Sequence, residues 1–537
     1  MAATDYDYIV VGAGTAGCVV ATRLAGHGRN RVLLVEAGGS DRRFWVRVPI
    51  GYGRTYNDPA VNWMYETEPD AGLNGTRSYW PRGRVLGGSG SINAMVYVRG
   101  LPRDYDDWRD AGNPGWGWSD VRPVFEAIES RLDGDGGMLR VTDQNAAAHP
   151  LCQAYIRSCA GLGYGYTADF NGSEPEGVGI YPTLTRRGLR DSTATSYLRP
   201  ALGRLAIDLQ LGAHVQGIEF EGLRATGIRY LRDGAAHSAT ARAGVVLCAG
   251  SIGSPQLLQL AGIGDPAQLA PLGIQVRHAL PQVGRNLHDH LAVNYTYRSR
   301  VPTLNGQLHP WWGKLWAGIR YVTTRRGPLS MSVNQGGGFV RSNPALAAPD
   351  MQLYFNPASY TSTRTRTRRL MNPDAFPGFI LSFNACRPTS RGHLVVRSRD
   401  PADAPLIHPN YLATTEDQAD AIAGARLLRR IMAREPLAGL AAEELQPGVA
   451  VQDDAALLED FRNRAGSVFH PVSTCAMGPD ATRAVVDARL RVHGIAGLHV
   501  VDASVFPRIT SGNTNGPVVV VAERGASMIL EDGRRGA

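Results

Sequence analysis

The chain has 537 residues, a formal net charge of +8 and 43% hydrophobic residues, values typical of a globular protein with two or more domains. Arginine carries nearly all of the positive charge because Lys314 is the only lysine, which argues against lysine Schiff-base chemistry. The six cysteines are scattered without a C-x-x-C pair, which predicts buried free thiols and a reducing compartment.

The first elements along the chain are a predicted strand, a glycine-rich turn and a predicted helix. Gly12 permits a tight turn, Gly14 lets backbone amides approach a pyrophosphate, and Gly17 lets the helix pack closely on the sheet. The next apolar run ends at Glu36, close to the roughly 20-residue offset at which a carboxylate reaches an adenosine ribose. This pattern favours a Rossmann-type site over an ordinary turn. The carboxylate disfavours NADP and leaves NAD or FAD.

The N-terminus and the hydropathy of the chain bear on its location. Asp5 and Asp7 stand where a signal peptide would need basic residues, and no stretch approaches the roughly 20 apolar residues that span a bilayer. We therefore predict a cytoplasmic protein without an integral membrane segment and leave peripheral membrane contact open. The basic stretch Arg364–Arg369 lacks interleaved aromatic residues, so a solvated loop is favoured over a lipid or nucleic-acid contact.

Three separated stretches are typical of a single nucleotide-binding domain. After the first βαβ unit, residues 244–250 predict a strand, with Pro255 at the start of a helix, and residues 498–502 predict another strand. The alternating run 393–397 instead suits an antiparallel sheet. We predict a mixed α/β fold with a discontinuous Rossmann-type domain and a substrate domain built on an antiparallel sheet flanked by helices. The predicted nucleotide-binding segments are 1–155, 195–300 and 465–537, and the substrate-domain segments are 156–194 and 301–464.

Two loops carry candidate catalytic residues. His470 precedes a proline, which disfavours helical backbone and lets the ring project into a cleft. Asn513 lies in a polar loop, and Pro517 follows near the first turn of a predicted helix, whose N-terminus offers amides to a developing anion. Either residue alone is more often structural than catalytic.

Other segments keep two interpretations each. The loop 82–95 is too rich in glycine to form a stable helix or strand, and it suits either a wall against a flat ligand or a mobile surface loop. The triplet 288–290, His-Asp-His, lacks the further ligands of a standard metal site, so no metal is predicted. Trp63 is predicted to pack the domain rather than to line a cavity.

Taken together, these motifs resemble those of the glucose–methanol–choline oxidoreductases, which are FAD-dependent alcohol oxidases and dehydrogenases. The first signature is matched by residues 83–93, GRVLGGSGSIN, and the second by residues 250–264, GSIGSPQLLQLAGIG, in which Ala261 replaces the usual serine. Gly90 also stands where relatives commonly have serine. Residues 470–478, HPVSTCAMG, complete a similarity over essentially the whole chain. Segments such as 316–321 are most similar in wording to bacterial choline, sorbose and polyethylene glycol dehydrogenases.

The resemblance implies a catalytic pair and a set of cofactor contacts. His470 would take the hydroxyl proton while Asn513 orients the substrate for hydride transfer to flavin N5. Ile92 stands where some relatives attach FAD covalently through histidine, so non-covalent FAD is expected. The implied FAD contacts are Gly12, Gly14, Thr15, Ala16, Gly17, Glu36, Ala37, Arg84, Gly87, Gly88, Ser89, Asn93, Ala94, Val96, Val215, Asp502, Ala503 and Asn515.

The substrate is predicted to be a primary alcohol or polyol. Choline enzymes carry a glutamate that aligns near Thr296, and this chain lacks it, so choline is the second choice. An NAD-dependent dehydrogenase and a non-catalytic flavin-binding protein remain as alternatives from other classes. The electron acceptor is left open between oxygen and a quinone or other redox carrier, and no nucleic-acid partner is expected.

Overall fold

The computed structural model of the chain describes residues 4–131, 136–360 and 372–535. Two seven-stranded sheets organise it, and the mixed α/β fold is confirmed. The arginine-rich stretch predicted as a solvated loop lies outside the described residues. Among the helices that are described, none combines the length and the apolar character needed to cross a bilayer.

The first sheet contains the predicted nucleotide-binding strands. Four of its strand pairings are parallel, and a long strand also forms an antiparallel meander with its two preceding strands. The parallel strands Val32–Glu36 and Leu498–Val500 are buried at every residue, as expected for parallel strands in a sheet covered by helices. In spatial order the strands are Ile207–Leu211, Val32–Glu36, Thr4–Val11, Ala235–Leu247, Arg224–Arg232 and His214–Glu221, with Leu498–Val500 also paired to Ala235–Leu247.

The second sheet is antiparallel, as predicted for the substrate region. Its strands in spatial order are Ala441–Gln446, Leu291–Ser299, Gly378–Ala385, Met351–Asn356, Gly336–Val340 and Gly177–Ile180, with Gly466–Ser467 also paired to Leu291–Ser299. Strand Leu291–Ser299 falls in a segment that the sequence assigned to the other domain, and the domain boundaries remain predictions. The run 393–397 does not join this sheet, since His393–Val395 pairs only with Leu406–His408.

Helices pack on both sheets. Those of at least nine residues are Thr15–Gly26, Pro102–Asp110, Trp118–Ile128, Pro150–Ala160, Gly250–Leu260, Trp311–Thr324, Thr415–Met432, Asp454–Arg464 and Asn515–Arg535. Shorter ones are Phe44–Arg47, Tyr52–Thr55, Arg199–Ala201, Pro266–Leu269, Leu304–Leu308 and Leu437–Leu440. Small sheets use Tyr65–Glu66, Tyr79–Trp80, Glu129–Ser130, Leu139–Thr142, Thr183–Arg186, Leu189–Arg190, Ile263–Gly264 and His278–Ala279.

Two predicted helix starts compare differently with the structure. The helix after the C-terminal loop begins at Asn515, so Pro517 lies in its first turn, as predicted. The other helix begins at Gly250, five residues before Pro255, so the predicted start there is wrong. Ser254 explains how the added turn is held, because its hydroxyl accepts a hydrogen bond from the amide of Ala249 at 3.1 Å. The six cysteines are free and buried, as predicted.

Candidate active site

A cavity of about 430 Å³ lies between the two sheets. Its floor is formed where the parallel strands of the first sheet end, at Gly12, Ala37, Cys248 and Asp502. The carboxyl ends of parallel strands are where open α/β sheets bind ligands. The second sheet closes the opposite side with polar and aromatic side chains from its inner strands, namely Asn294, Tyr354, Asn356 and Ser382.

Glycines bring two loops together at this floor. Gly12 has a φ of +95°, and a Cβ there would lie 2.6 Å from the Cys248 carbonyl oxygen. A Cβ on Gly17 would lie 1.8 Å from the carbonyl oxygen of Gly12, and one on Gly88 would lie 2.7 Å from Gly14 Cα. Side chains are therefore excluded where helix Thr15–Gly26 begins, which leaves its first amides open to a phosphate.

Glu36 closes one side of the turn. Its Oε2 accepts a hydrogen bond from the Ala13 amide at 3.0 Å, and its Oε1 accepts one from the Gly38 amide at 2.8 Å. Burial raises the pKa of Glu36 to about 7, although these two amides oppose the shift. A buried carboxylate beside the cavity would gain from the hydroxyl donors of a ribose.

The glycine-rich loop 82–95 is a wall of the cavity and is held by a buried arginine that the sequence did not reveal. Arg190 donates from Nη1 to Asn93 Oδ1 at 2.7 Å and to the Gly90 carbonyl oxygen at 3.2 Å. Gly90 leaves room for Thr15, since a Cβ there would lie 2.7 Å from Thr15 Oγ1. That hydroxyl donates to Asn515 Oδ1 at 3.0 Å and so joins the starts of two helices.

Most of the predicted cofactor contacts line this cavity. They are Gly12, Gly14, Thr15, Ala16, Glu36, Ala37, Gly88, Ser89, Asn93, Ala94, Val96, Val215, Asp502, Ala503 and Asn515. Gly17, Arg84 and Gly87 do not line it. Gly87 instead donates its amide to Ala13 at 2.7 Å, and the exposed Arg84 lies over the ring of Trp63. Trp63 packs against Tyr65, as predicted, and it also lines the cavity, which the sequence did not predict.

The donor set fits FAD on three structural observations. The glycine cradle has no room for side chains, a helix begins at its edge, and a buried carboxylate ends the neighbouring strand. Asp502 adds a second buried carboxylate at the floor, held by the Gly250 amide and the Ser254 hydroxyl.

The predicted catalytic residues meet at the cavity. The His470 Nε2 and Asn513 Nδ2 atoms are 3.1 Å apart, and both residues line the cavity. His470 is held through its backbone, because its amide donates to Asp289 Oδ1 at 2.7 Å. Asn513 follows Gly512, whose φ of +89° and contact with Phe339 leave no space for a Cβ.

A hydrogen-bond chain behind His470 determines which of its two ring nitrogens carries the proton. His290 Nε2 lies 3.0 Å from the Cys386 carbonyl oxygen, which can only accept, so this nitrogen carries the proton. Burial lowers the pKa of His290 to about 4, so its Nδ1 is unprotonated and accepts from His470 Nδ1, 3.0 Å away. His470 Nε2 is then left with a lone pair, and Asn513 donates to it.

The Asn513 amide is oriented from its other end. Gln352 Nε2 donates to Asn513 Oδ1 at 3.2 Å, and the Gln352 carbonyl oxygen accepts from the Tyr354 hydroxyl at 2.8 Å. These bonds fix the carbonyl of Asn513 away from His470 and its NH2 group towards it. Tyr354 also lines the cavity, so the hydrogen bonds that orient the Asn513 amide begin at a cavity residue.

The His-Asp-His triplet at 288–290 therefore holds His470 in place, through His290 and Asp289. Asp289 accepts hydrogen bonds from Tyr411 and Ser467 at 2.5 Å each, in addition to the His470 amide, and His288 Nδ1 contacts Ser473 Oγ at 2.9 Å. Sequence reasoning considered this segment only as a metal site and missed its role. Its closeness to the strand Gly466–Ser467 could be seen only in the folded chain.

Comparisons with known proteins agree with this geometry. Residues 6–292 and 388–522 match the two GMC oxidoreductase family models, which together cover most of the chain. The chain belongs to the GMC oxidoreductase family. It is therefore an FAD-dependent enzyme that oxidises CH–OH groups, and the alternatives of an NAD-dependent dehydrogenase and a non-catalytic flavoprotein are set aside.

Relatives of this GMC oxidoreductase match it from end to end. Oxygen-dependent choline dehydrogenase of Vibrio vulnificus is 40% identical over 98% of this chain and 94% of the relative. Mitochondrial choline dehydrogenase of Mus musculus is 39% identical, with 98% and 89% covered. The alcohol dehydrogenase [acceptor] of Pseudomonas putida is 37% identical, with 98% and 96% covered.

Solved structures show the same fold. The crystal structure of pyridoxine 4-oxidase from Mesorbium loti has a TM-score of 0.87 and 30% identity, covering 97% of this chain and 98% of that one. Formate oxidase superposes with a TM-score of 0.89 at 23% identity, covering 99% of both chains, and supports the fold alone.

Proposed function

We propose that this enzyme oxidises a neutral primary alcohol or polyol, with His470 as the base and Asn513 as its partner. The observation that carries the proposal is the order of hydrogen bonds that leaves a lone pair on His470 Nε2 beside the cavity. When bound, FAD supplies the electron sink for the hydride that leaves the alcohol carbon. His470 takes the hydroxyl proton, so the products of the substrate half-reaction balance as an aldehyde or ketone.

Asn513 orients the reacting oxygen. Because its Nδ2 lies 3.1 Å from His470 Nε2, one alcohol oxygen can accept from the amide while its proton is donated to the imidazole. The amide continues to donate as negative charge develops on that oxygen. The N-terminus of helix Asn515–Arg535, which begins two residues later, favours negative charge in the same part of the cavity.

FAD would be held without a covalent bond, by those residues predicted from the sequence that line the cavity. The glycines before Thr15 would leave space for the pyrophosphate beside the backbone amides. Glu36 would accept hydrogen bonds from the ribose hydroxyls. The buried Ile92 lines the cavity and offers only a hydrocarbon side chain, which cannot act as an attachment nucleophile. Gly17 and Gly87 would act by letting the loops pack, since neither lines the cavity.

A neutral substrate is favoured by the side chains that the second sheet contributes to the cavity. The described lining residues from the second sheet are Ala292, Asn294, Tyr354, Asn356 and Ser382, none of which is charged. Amide and hydroxyl groups of this kind pair with further hydroxyls of a polyol or with water around a simple alcohol. Thr296, where a glutamate would suit choline, does not line the cavity, so this position does not distinguish choline from a neutral alcohol.

Choline remains a second candidate because aromatic rings also line the cavity, among them Tyr56, Tyr354 and Tyr360. We expect linear alcohols or polyols to bleach the flavin absorbance of the anaerobic holoenzyme, and choline to do so more slowly at equal concentration. The measurement is stopped-flow absorbance with choline, linear alcohols, benzylic alcohols and polyols. Faster bleaching by choline would reverse the substrate assignment, and no bleaching by any of them would contradict the proposed function.

The rate of flavin reduction is expected to fall on the acid side only at an unusually low pH. Burial, with His290 and Arg82 close by, lowers the pKa of His470 well below its ordinary value of 6.5. Only the neutral ring can accept a proton, so the rate of anaerobic flavin reduction should stay level as pH falls through 6.5 and decline only below it. A profile of reduction rate from about pH 5 to pH 8 tests this. A half-maximal rate at pH 6.5 or above would contradict it.

For the electron acceptor and the cellular location, the proposal names only a class. Oxygen or a quinone-type carrier would reoxidise the cofactor after each turnover. A cytoplasmic location agrees with the six free cysteines, all of them buried.

A further inference from the structure

Helix Trp311–Thr324 presents its large apolar side chains to the surface. Half of the twelve large apolar side chains exposed in the described chain lie on this one helix of 14 residues. They are Trp311, Trp312, Leu315, Trp316, Ile319 and Val322, which we call the tryptophan face. Single exposed apolar residues are normal on protein surfaces, whereas a contiguous group of this kind marks a binding surface.

The opposite side of the helix is firmly packed. Gly313, Ala317 and Tyr321 are buried, and the Tyr321 hydroxyl donates to the Gly188 carbonyl oxygen at 2.8 Å. At about 100° per residue, these three positions lie opposite the centre of the tryptophan face. The helix is therefore anchored through a narrow side formed by Gly313, Ala317 and Tyr321, and the side chains of the tryptophan face are directed outwards.

Cationic residues border the tryptophan face. By the same helical spacing of about 100° per residue, Lys314 lies at one margin of the face and Arg320 at the other, and both are exposed. Arg325 and Arg326 follow directly after the helix and are exposed too. The sequence contains no aspartate or glutamate between Asp289 and Asp350, so the helix and its flanking segments carry positive charge alone.

We propose that the tryptophan face docks on an anionic lipid bilayer, with the helix lying in the plane of the interface. Tryptophan is enriched at bilayer interfaces, where its ring is embedded and its N–H stays hydrated. Long cationic side chains at the margins reach anionic headgroups. A second copy of the chain is a poorer occupant, because a twofold contact through this face would bring like charges together without an acidic residue on either helix.

Docking would place lipid close to the cavity. Ala317 and Tyr321 pack in one hydrophobic cluster with Tyr52 and Met95, and these last two residues line the cavity. The buried side of the helix therefore belongs to the same hydrophobic cluster as part of the cavity wall. The inference does not rest on the alcohol chemistry, because a membrane-docking helix would be observed whatever substrate the enzyme oxidises.

Co-sedimentation of the holoenzyme with vesicles tests the proposal. We expect binding to phosphatidylcholine vesicles containing about 30% phosphatidylglycerol, weaker binding to phosphatidylcholine alone, and loss of binding at high salt. The triple variant Trp311→Gln, Trp312→Gln, Trp316→Gln should bind at least about tenfold more weakly. The variant Lys314→Gln, Arg320→Gln should lose roughly fivefold per cation on anionic vesicles only.

The matched control replaces two exposed apolar residues elsewhere, Leu223→Gln and Val449→Gln, and should bind like the wild type. Retained flavin absorbance and alcohol-dependent bleaching in solution establish that each variant is folded. Equal vesicle binding by the wild type and the tryptophan variant would overturn the proposal, as would no binding by the wild type. Self-association without lipid that the tryptophan variant abolishes would assign the face to a second copy instead.

Discussion

Replacing His470 by alanine is expected to slow anaerobic reduction of bound FAD by alcohol by roughly 10³-fold, within the range of general base catalysis. The His470 imidazole supplies the lone pair, on Nε2 beside Asn513, that takes the hydroxyl proton. Alanine has no such group, so the proton would lose its acceptor. FAD should stay bound, because the glycine turn and Glu36 form the cradle and alanine at position 470 leaves them unchanged. Stopped-flow absorbance of the flavin during anaerobic mixing measures the loss.

His499→Ala is the matched control for this variant. His499 is buried to the same degree, with 9% of its surface exposed against 8% for His470, but it does not line the cavity. Removing it also deletes a buried ring, so a general loss of stability would affect both variants. A His470→Ala enzyme that bleaches at the wild-type rate, or a His499→Ala enzyme that slows equally, would refute the assignment of His470 as base.

Replacing Gly17 by alanine is expected to weaken FAD binding by about 100-fold or more, which corresponds to the upper range of overpacking penalties. The new Cβ would lie 1.8 Å from the Gly12 carbonyl oxygen, a backbone atom that no side-chain rotation can move aside. Helix Thr15–Gly26 must then shift away from the turn, and its first amides move with it. Equilibrium titration of apoprotein with FAD, followed by flavin fluorescence, measures the change.

Gly39→Ala provides the control, because its Cβ would meet no atom within 4 Å and its backbone is not left-handed. It should bind FAD like the wild type. Gly88→Ala tests the same cradle from the other loop, where a Cβ would lie 2.7 Å from Gly14 Cα. If Gly17→Ala and Gly88→Ala both retain wild-type FAD affinity, the cradle is not the cofactor site.

The first sheet and the catalytic pair show how much can be predicted from the sequence. The glycines at 12, 14 and 17 could be assigned because a turn and a close approach impose local backbone requirements that few residues satisfy. Glu36 could be predicted from its spacing. The proline after His470 predicted only a non-helical loop, and the candidate role of His470 as base came from the family resemblance. The antiparallel second sheet was predicted only as a type, since which strands pair in it depends on contacts distant along the chain.

The support around His470 could not be predicted in this way. His290 is 180 residues from His470 in sequence and Gln352 is 161 from Asn513, yet each pair shares a hydrogen bond. The buried Arg190 that holds Asn93 is likewise 97 residues away. A local pattern carries no signal for such partners. The start of the helix at Gly250 likewise involves a distant residue, because the Gly250 amide donates to Asp502.

By itself, the sequence determined the family and predicted the nucleotide-binding turn and a candidate catalytic pair, because these depend on backbone geometry and residue type at short spacing. The tertiary structure alone decided the tautomer of His470, since that follows from a carbonyl oxygen and a second histidine brought together by folding. It also decided which side of helix Trp311–Thr324 is exposed. In a sequence, an apolar helix face indicates burial. Only packing shows that Gly313, Ala317 and Tyr321 of this helix are buried while its tryptophans remain at the surface.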